Sequence, residues 1–167
     1  NNNSHEDSTL RYLKKLKRLK SYTVLNINTP EFNYSKINNI AARKAKGELL
    51  LFLNNDVECI KETSIENMAT IASESGVGTV GAKLYYPDGK IQHAGVYMGV
   101  NNSAGHMFKG SEGSNHGFMS QLSLTRSVSA NTAACLMVRR KTFLSHGGFD
   151  ESKFKIAFND IDFNLRL

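Results

Sequence analysis

Five apolar residues, Leu49 to Leu53 in "LLLFL", follow one another without a break and stop on Asn54, Asn55 and Asp56. A strand with one wet face alternates polar and apolar residues, so an unbroken run predicts a strand covered on both faces. Just upstream, Ile37, Ile40, Ala41 and Ala45 keep helical spacing, with Ser35 as a candidate N-cap and Gly47 as the stop. "YTVLNIN" before it is rich in β-branched and aromatic residues and predicts a short strand closed by the turn at Pro30. Nearer the start, Leu10, Leu13 and Leu16 fall three apart. They predict a surface helix capped by Asp7 or Ser8 and ending near Lys20. Strand, helix and buried strand in this order predict a β-α-β unit and a parallel sheet.

Downstream, Glu62 to Ser75 predicts a helix of modest amphipathicity, and "VGTVGAKLYYPDGKIQHAGVYMGV" gives two strand-like runs joined at a Pro-Asp-Gly turn. Asn101 to Gln121 is rich in Gly, Ser and Asn, a long connection of the kind that serves as a lid or a binding loop or stays disordered. "SVSANTAACLMVRR" predicts a further buried strand, Lys141 to Ser145 a short helix, and "FNDIDFNLRL" the opening turns of another helix. The abrupt first and last segments predict a piece of a longer protein, lacking a first strand and a C-terminal part.

Composition adds limits. With 167 residues, 40% hydrophobic and 22% charged, the chain is about one domain long and of ordinary globular make-up. No run reaches the roughly 18 apolar residues of a membrane span, and "NNNSHEDS" lacks the features of a signal peptide. Cys59 and Cys135 are far apart and predict neither a disulfide framework nor a zinc site, which points to a reducing cytosol. The net charge of +6 is concentrated in "LRYLKKLKRLK". Its basic face is first a solvated surface, with contact to anionic lipid or an anionic substrate left open. Basic residues without interleaved aromatics argue against nucleic acid.

Chemistry enters at the strand end. In parallel sheets ligands gather at the carboxyl ends of strands, where Asn54, Asn55 and Asp56 stand. Asn159, Asp160 and Asp162 crowd the first turn of the last helix and form a second polar focus.

Four blocks carry a resemblance: "FNYSKINNIAARKAKGELLLFLNNDVE", "VGTVGAKLYYPDGKIQHAGV", "ACLMVRRKTFLSHGGFDE" and "FNDIDFNLRL". In order and spacing the chain resembles the family 2 glycosyltransferases, and within them the bacterial rhamnosyltransferase-like branch, over nearly its whole length. The resemblance implies a single glycosyltransferase A-type catalytic domain across residues 1–167, an α/β fold with a mostly parallel sheet flanked by helices. It also implies an inverting enzyme that moves a sugar from a nucleoside-diphosphate donor (UDP, dTDP or GDP type) to a hydroxyl of a glycan or lipid-linked acceptor, in surface polysaccharide synthesis. Such an enzyme works in the cytoplasm, with contact at the inner face of the membrane left open.

Residue by residue, the family's strand-end D-x-D motif falls on "NND". Asp56 is then the carboxylate for Mg²⁺ or Mn²⁺ on the donor diphosphate, a hard cation that prefers oxygen ligands. Asn54 and Asn55 stand where they supply amide oxygens to the metal or hydrogen bonds to ribose or sugar. The family's catalytic acidic pair falls on Asn159 and Asp160, with Asp160 as general base and Asn159 on the acceptor side. Asn1 takes the place of an acidic residue that binds the nucleotide base. Asn39 and Arg43, on the helix feeding the metal strand, are further donor-binding candidates. His93, His106, Thr132 and Ala133 are candidates for the sugar or acceptor side. Departures from the acidic pattern, at Asn54 and Asn159, keep a catalytically silent sugar-nucleotide or glycan-binding module as an alternative, and a nucleotidyltransferase, which also uses a metal-binding Asp at a strand end, is another.

Overall fold

The computed structural model describes residues 1–100 and 102–167. Asn101, the first residue of the expected lid segment, lies outside the described residues.

Helix α1 (Asp7–Leu16) ends before the expected Lys20, its cap position falls on Glu6 rather than Asp7 or Ser8, and none of its residues is buried. Thr9 Oγ1 donates to Glu6 Oε2 at its start, while Lys14 and Lys15 in the last turn suit the negative end of the helix dipole. Helix α2 (Tyr34–Lys44) begins one residue before the expected Ser35, because Asn33 is the cap: its Oδ1 accepts from Lys36 N–H at 2.8 Å. Ser35 is instead fully buried, donating from Oγ to the Phe154 carbonyl, so it ties α2 to the chain before the last helix.

Strand β1 (Leu49–Leu53) is the apolar run, and its two faces meet two different cores. Leu50 and Phe52 point to an aromatic cluster of Phe143, Phe149 and Phe163, whose ring centroids lie 5.0 to 5.7 Å from one another, with Phe52 at 4.9 Å from Phe143 and 5.0 Å from Phe149. Leu49 and Leu51 point to Met68 and Ala72 of α3 (Ser64–Ser73) on the other side. Burial on both faces is the physical reason for the missing alternation.

The pairing differs from the expected parallel sheet. Strand β2 (Thr79–Gly81) follows α3, and the hairpins β3–β4 (Leu84–Tyr85, Ile91–His93) and β5–β6 (Val96–Val100, Ser103–His106) come next. Strand β7 (Cys135–Arg139) then inserts between β1 and β2, antiparallel to both, with Leu53 opposite Cys135 and Gly81 opposite Leu136. β1 and β2 do run the same way, yet every ladder among the described residues is antiparallel. The run of apolar side chains specifies burial, which either pairing satisfies. "YTVLNIN" forms no strand among the described residues; Asn1 bonds its middle twice, donating to the Leu25 carbonyl and accepting from Ile27 N–H.

The expected loop also differs, because its first part builds β6 and its next turn docks on β4 through Ile91 N–H to the Ser111 carbonyl and Gly110 N–H to the Ile91 carbonyl. Arg139, at the end of β7, donates to the carbonyls of Ala72, Glu74 and Val77 and so satisfies the open end of α3. Helix α4 (Arg140–Ser145) follows directly and α5 (Asn159–Arg166) closes the chain.

Candidate active site

The β1–β7 ladder continues one residue beyond the strand, with Asn54 N–H donating to the Ala134 carbonyl at 3.0 Å. That register lays the end of β1 beside the start of β7. Ala133, one residue further, donates its N–H to Asp160 Oδ2 at 2.9 Å, and Ile161 N–H donates to Asp160 Oδ1 at 2.8 Å. The two polar foci of the sequence, about a hundred residues apart, thereby share one pocket of about 650 Å³. Asn54, Asn55, Asp56, His106, Thr132, Ala133, Asn159 and Asp160 all line it.

Each oxygen of Asp160 holds one backbone donor, which fixes the plane of the carboxylate while leaving each oxygen a further lone pair. Ala133 leaves room beside it: its side chain is small, its N–H holds Asp160, and its carbonyl accepts from Tyr34 Oη at 3.1 Å. Tyr34 was not among the residues that the sequence points to. It lines the pocket, stands 3.5 Å from Asn54 Oδ1, and has its phenol pushed up to about 12, by burial first and then by the negative charge of Asp160. Its only signal in the sequence is its place directly after the helix cap. Phe32, Ile156 and Phe158 give the pocket an apolar rim. Phe158 is left-handed (φ 63°) where α5 begins, a conformation rare for an aromatic residue.

Several candidates are engaged elsewhere in the fold, and Asn159 meets this pocket with its amide already used. Asn1 uses its side chain on Asn26 and on Ser4 N–H, and Arg43 lies exposed on α2. Asn39 is 4% exposed and acts as a clamp, donating to the Phe149 carbonyl at 2.8 Å and accepting from Phe149 N–H at 3.0 Å. The clamp fits because Gly148 (φ 69°) has no side chain: a Cβ there would meet Asn39 Oδ1 at 2.5 Å. Asn159 lines the pocket, but it is buried and its amide donates to the Ile156 carbonyl at 3.1 Å. His93 is 1% exposed and reaches the pocket only through His106, its Nδ1 lying 2.8 Å from His106 Nδ1. Asp150 caps its own turn, accepting from Ser152 and Lys153 N–H, and Asp162 pairs with Arg166 at 2.9 Å.

For a cation the donor set is narrow. No group of three or more His, Cys, Asp or Glu side chains gathers among the described residues, so they build no all-protein cage. Asp56 is exposed, lines the pocket and makes no ion pair among the described residues. One free carboxylate beside two amides fits a hard cation that takes most of its shell from phosphate and water. No helix among the described residues is long and apolar enough to cross a membrane.

Comparison with known proteins agrees with the resemblance. Residues 1–146 match the model of glycosyl transferase family 2. The chain is 46% identical over 136 residues to the uncharacterized protein y4gI of Sinorhizobium fredii, covering 81% of this chain and 15% of that protein. It is 44% identical over 137 residues to the O-antigen biosynthesis protein RfbC of Myxococcus xanthus, covering 81% of this chain and 11% of that protein. The chain therefore spans only a small part of the length of either relative. With a family match over most of its residues, the chain belongs to glycosyl transferase family 2.

Proposed function

We propose that the pocket between β1 and α5 carries out inverting sugar transfer from a nucleoside-diphosphate donor to a hydroxyl of a glycan acceptor, in surface polysaccharide synthesis. The observation that supports this most is the convergence of Asp56 and Asp160 on one pocket. Family membership and the name of the Myxococcus relative point the same way.

In this reading Asp160 is the general base. Its carboxylate, oriented by Ala133 N–H and Ile161 N–H, takes the proton of the acceptor hydroxyl as that oxygen attacks the anomeric carbon. The new glycosidic C–O bond forms on one face while the bond to the diphosphate oxygen breaks on the other, so the configuration inverts. The proton ends on Asp160 and the electron pair leaves with the diphosphate. Asp56, with the amide oxygens of Asn54 and Asn55 beside it, would hold Mg²⁺ or Mn²⁺, whose chemistry is to offset charge on the diphosphate. The apolar rim of Phe32, Ile156 and Phe158 supplies surface for the less polar face of a sugar ring.

The test is a thermal-shift panel of UDP-, dTDP- and GDP-sugars with and without Mn²⁺. A donor at about a hundred times its dissociation constant stabilises the folded chain by ~2.7 kcal/mol, a rise of several degrees. The expected result is a metal-dependent rise with one nucleotide class, lost in Asp56→Ala and kept in Asp160→Asn. No rise with any donor would overturn the proposal.

A further inference from the structure

His93 and His106 are left unused by the proposed reaction, although they meet at its edge. They come from β4 and β6, with Nδ1 to Nδ1 at 2.8 Å and the rings 5.0 Å apart and nearly perpendicular. Two neutral imidazoles make that contact only when one nitrogen carries a hydrogen and the other is bare.

A neighbouring bond decides which. Gly95 N–H, which can only donate, points at His93 Nε2 at 3.3 Å. His93 Nε2 is therefore the acceptor and its hydrogen sits on Nδ1. His106 Nδ1 must then accept, and the hydrogen of His106 sits on Nε2. Burial keeps the pair neutral. The basicity of His93 is pushed down to about 4, by burial first and then by His106. That of His106 is also lowered, by burial first and then by Lys109, against an opposing pull from Asp160. His106 lines the pocket with Asp160 and Asp56, whereas His93 is 1% exposed and lies behind it.

We propose that His93 is a positioning residue that fixes His106 as its Nε2–H tautomer, and that His106 donates this hydrogen to a hydroxyl oxygen of the sugar held in the pocket. The second half rests on the reading of the pocket as a nucleotide-sugar site. A neutral donor brings no charge to set against a diphosphate, although neutral N–H groups do bind phosphate oxygens, and its fixed direction selects where a sugar hydroxyl stands. The pair thus becomes a determinant of sugar identity, built from one exposed ring and one buried ring.

Long-range ¹H–¹⁵N spectra of the labelled chain at neutral pH read the tautomers directly. His93 should show a protonated Nδ1 and a bare Nε2, and His106 the reverse. A protonated Nδ1 on His106, a charged ring or an averaged signal would overturn the lock in the unmodified protein, whatever the variants do. His93→Asn, whose amide can donate from the Nδ1 position, should keep His106 in place, and His93→Phe should release it to a mixture. An unchanged His106 in a folded His93→Phe variant would remove His93 from the account.

For the sugar, the probes are UDP-glucose, dTDP-glucose and GDP-mannose beside free UDP, dTDP and GDP. The His106 Nε2 signal should move with a nucleotide sugar and not with its free nucleotide, and His106→Ala should weaken the sugar form alone by about tenfold, the loss of one neutral hydrogen bond. Movement with the free nucleotide places the contact on the diphosphate and refutes the sugar assignment. So does a nucleotide sugar that binds by calorimetry without moving the signal. If no probe binds, the pocket reading fails and takes the sugar half with it, while the tautomer lock is still decided by the spectra.

Discussion

Acid should loosen this fold in a window set by one buried ring. His93 is 1% exposed, touches His106 Nδ1, and has its basicity lowered from 6.5 to about 4, by burial first and by His106 second. The groups around His106 are Lys109, which opposes a second positive charge, and Asp160, which favours one. Between 4 and 6.5 the unfolded chain binds a proton here that the folded chain does not, so stability rises with pH through that window and is lost as pH falls through it. At about 1.4 kcal/mol per pH unit, the shift corresponds to roughly 3 kcal/mol, a large part of the ~5–15 kcal/mol that holds an ordinary domain together. Below 4 both states carry the proton and the contribution is gone. The measurement is urea unfolding at a series of pH values, followed by circular dichroism because the chain has no tryptophan. The unmodified chain should lose about 3 kcal/mol more than His93→Asn between pH 6.5 and 4. Asp150 does not blur the comparison. Its carboxyl is lowered from 3.8 to about 2, chiefly by the Ser152 hydroxyl, so its contribution is present above 3.8 and lost only in stronger acid. Equal pH slopes in the two proteins would refute the reasoning.

Three further outcomes follow from other parts of the molecule. Asn39→Ala strips the partners from the buried Phe149 N–H and carbonyl and should cost about 2–4 kcal/mol in urea unfolding; unchanged donor affinity in the folded fraction would mark the residue as a clamp rather than a nucleotide contact. Phe143→Ala opens a cavity among Phe52, Phe149 and Phe163 and should cost about 3–5 kcal/mol; a loss under 1 kcal/mol would mean that this cluster is not the core on its side of the sheet. Asp160→Asn keeps an acceptor for Ala133 N–H and removes the base, so the fold should persist while turnover falls by about 10²–10⁴, measured as nucleoside diphosphate released; undiminished turnover would assign the base elsewhere.

Much of the molecule was legible along the chain because its causes are local. The unbroken "LLLFL" required cover on both faces and received it, from the phenylalanine cluster and from α3. Helical spacing placed α2, although the choice of cap moved from Ser35 to Asn33: both types cap well, and only the fold reserved the Ser35 hydroxyl for the Phe154 carbonyl. The ordered blocks from "FNYSK" to "FNDID" were enough to identify the family that the wider comparison supports.

Tertiary structure alone decided which way β7 runs and what each polar side chain touches. Apolar patterning measures burial, which parallel and antiparallel neighbours supply equally, so it carried no information on the insertion of β7 between β1 and β2. That insertion sets Asn54 against Ala134 and, through Ala133, Asp56 near Asp160. An asparagine on a helix reads the same whether it faces a ligand or a backbone. Asn39 became a clamp because the turn at Gly148 brought the Phe149 peptide to it from 110 residues away. The sequence by itself determined which positions carry carboxylate, amide and imidazole groups, because that follows from side-chain type. Which of them meet follows from long-range register, and only the folded chain sets that.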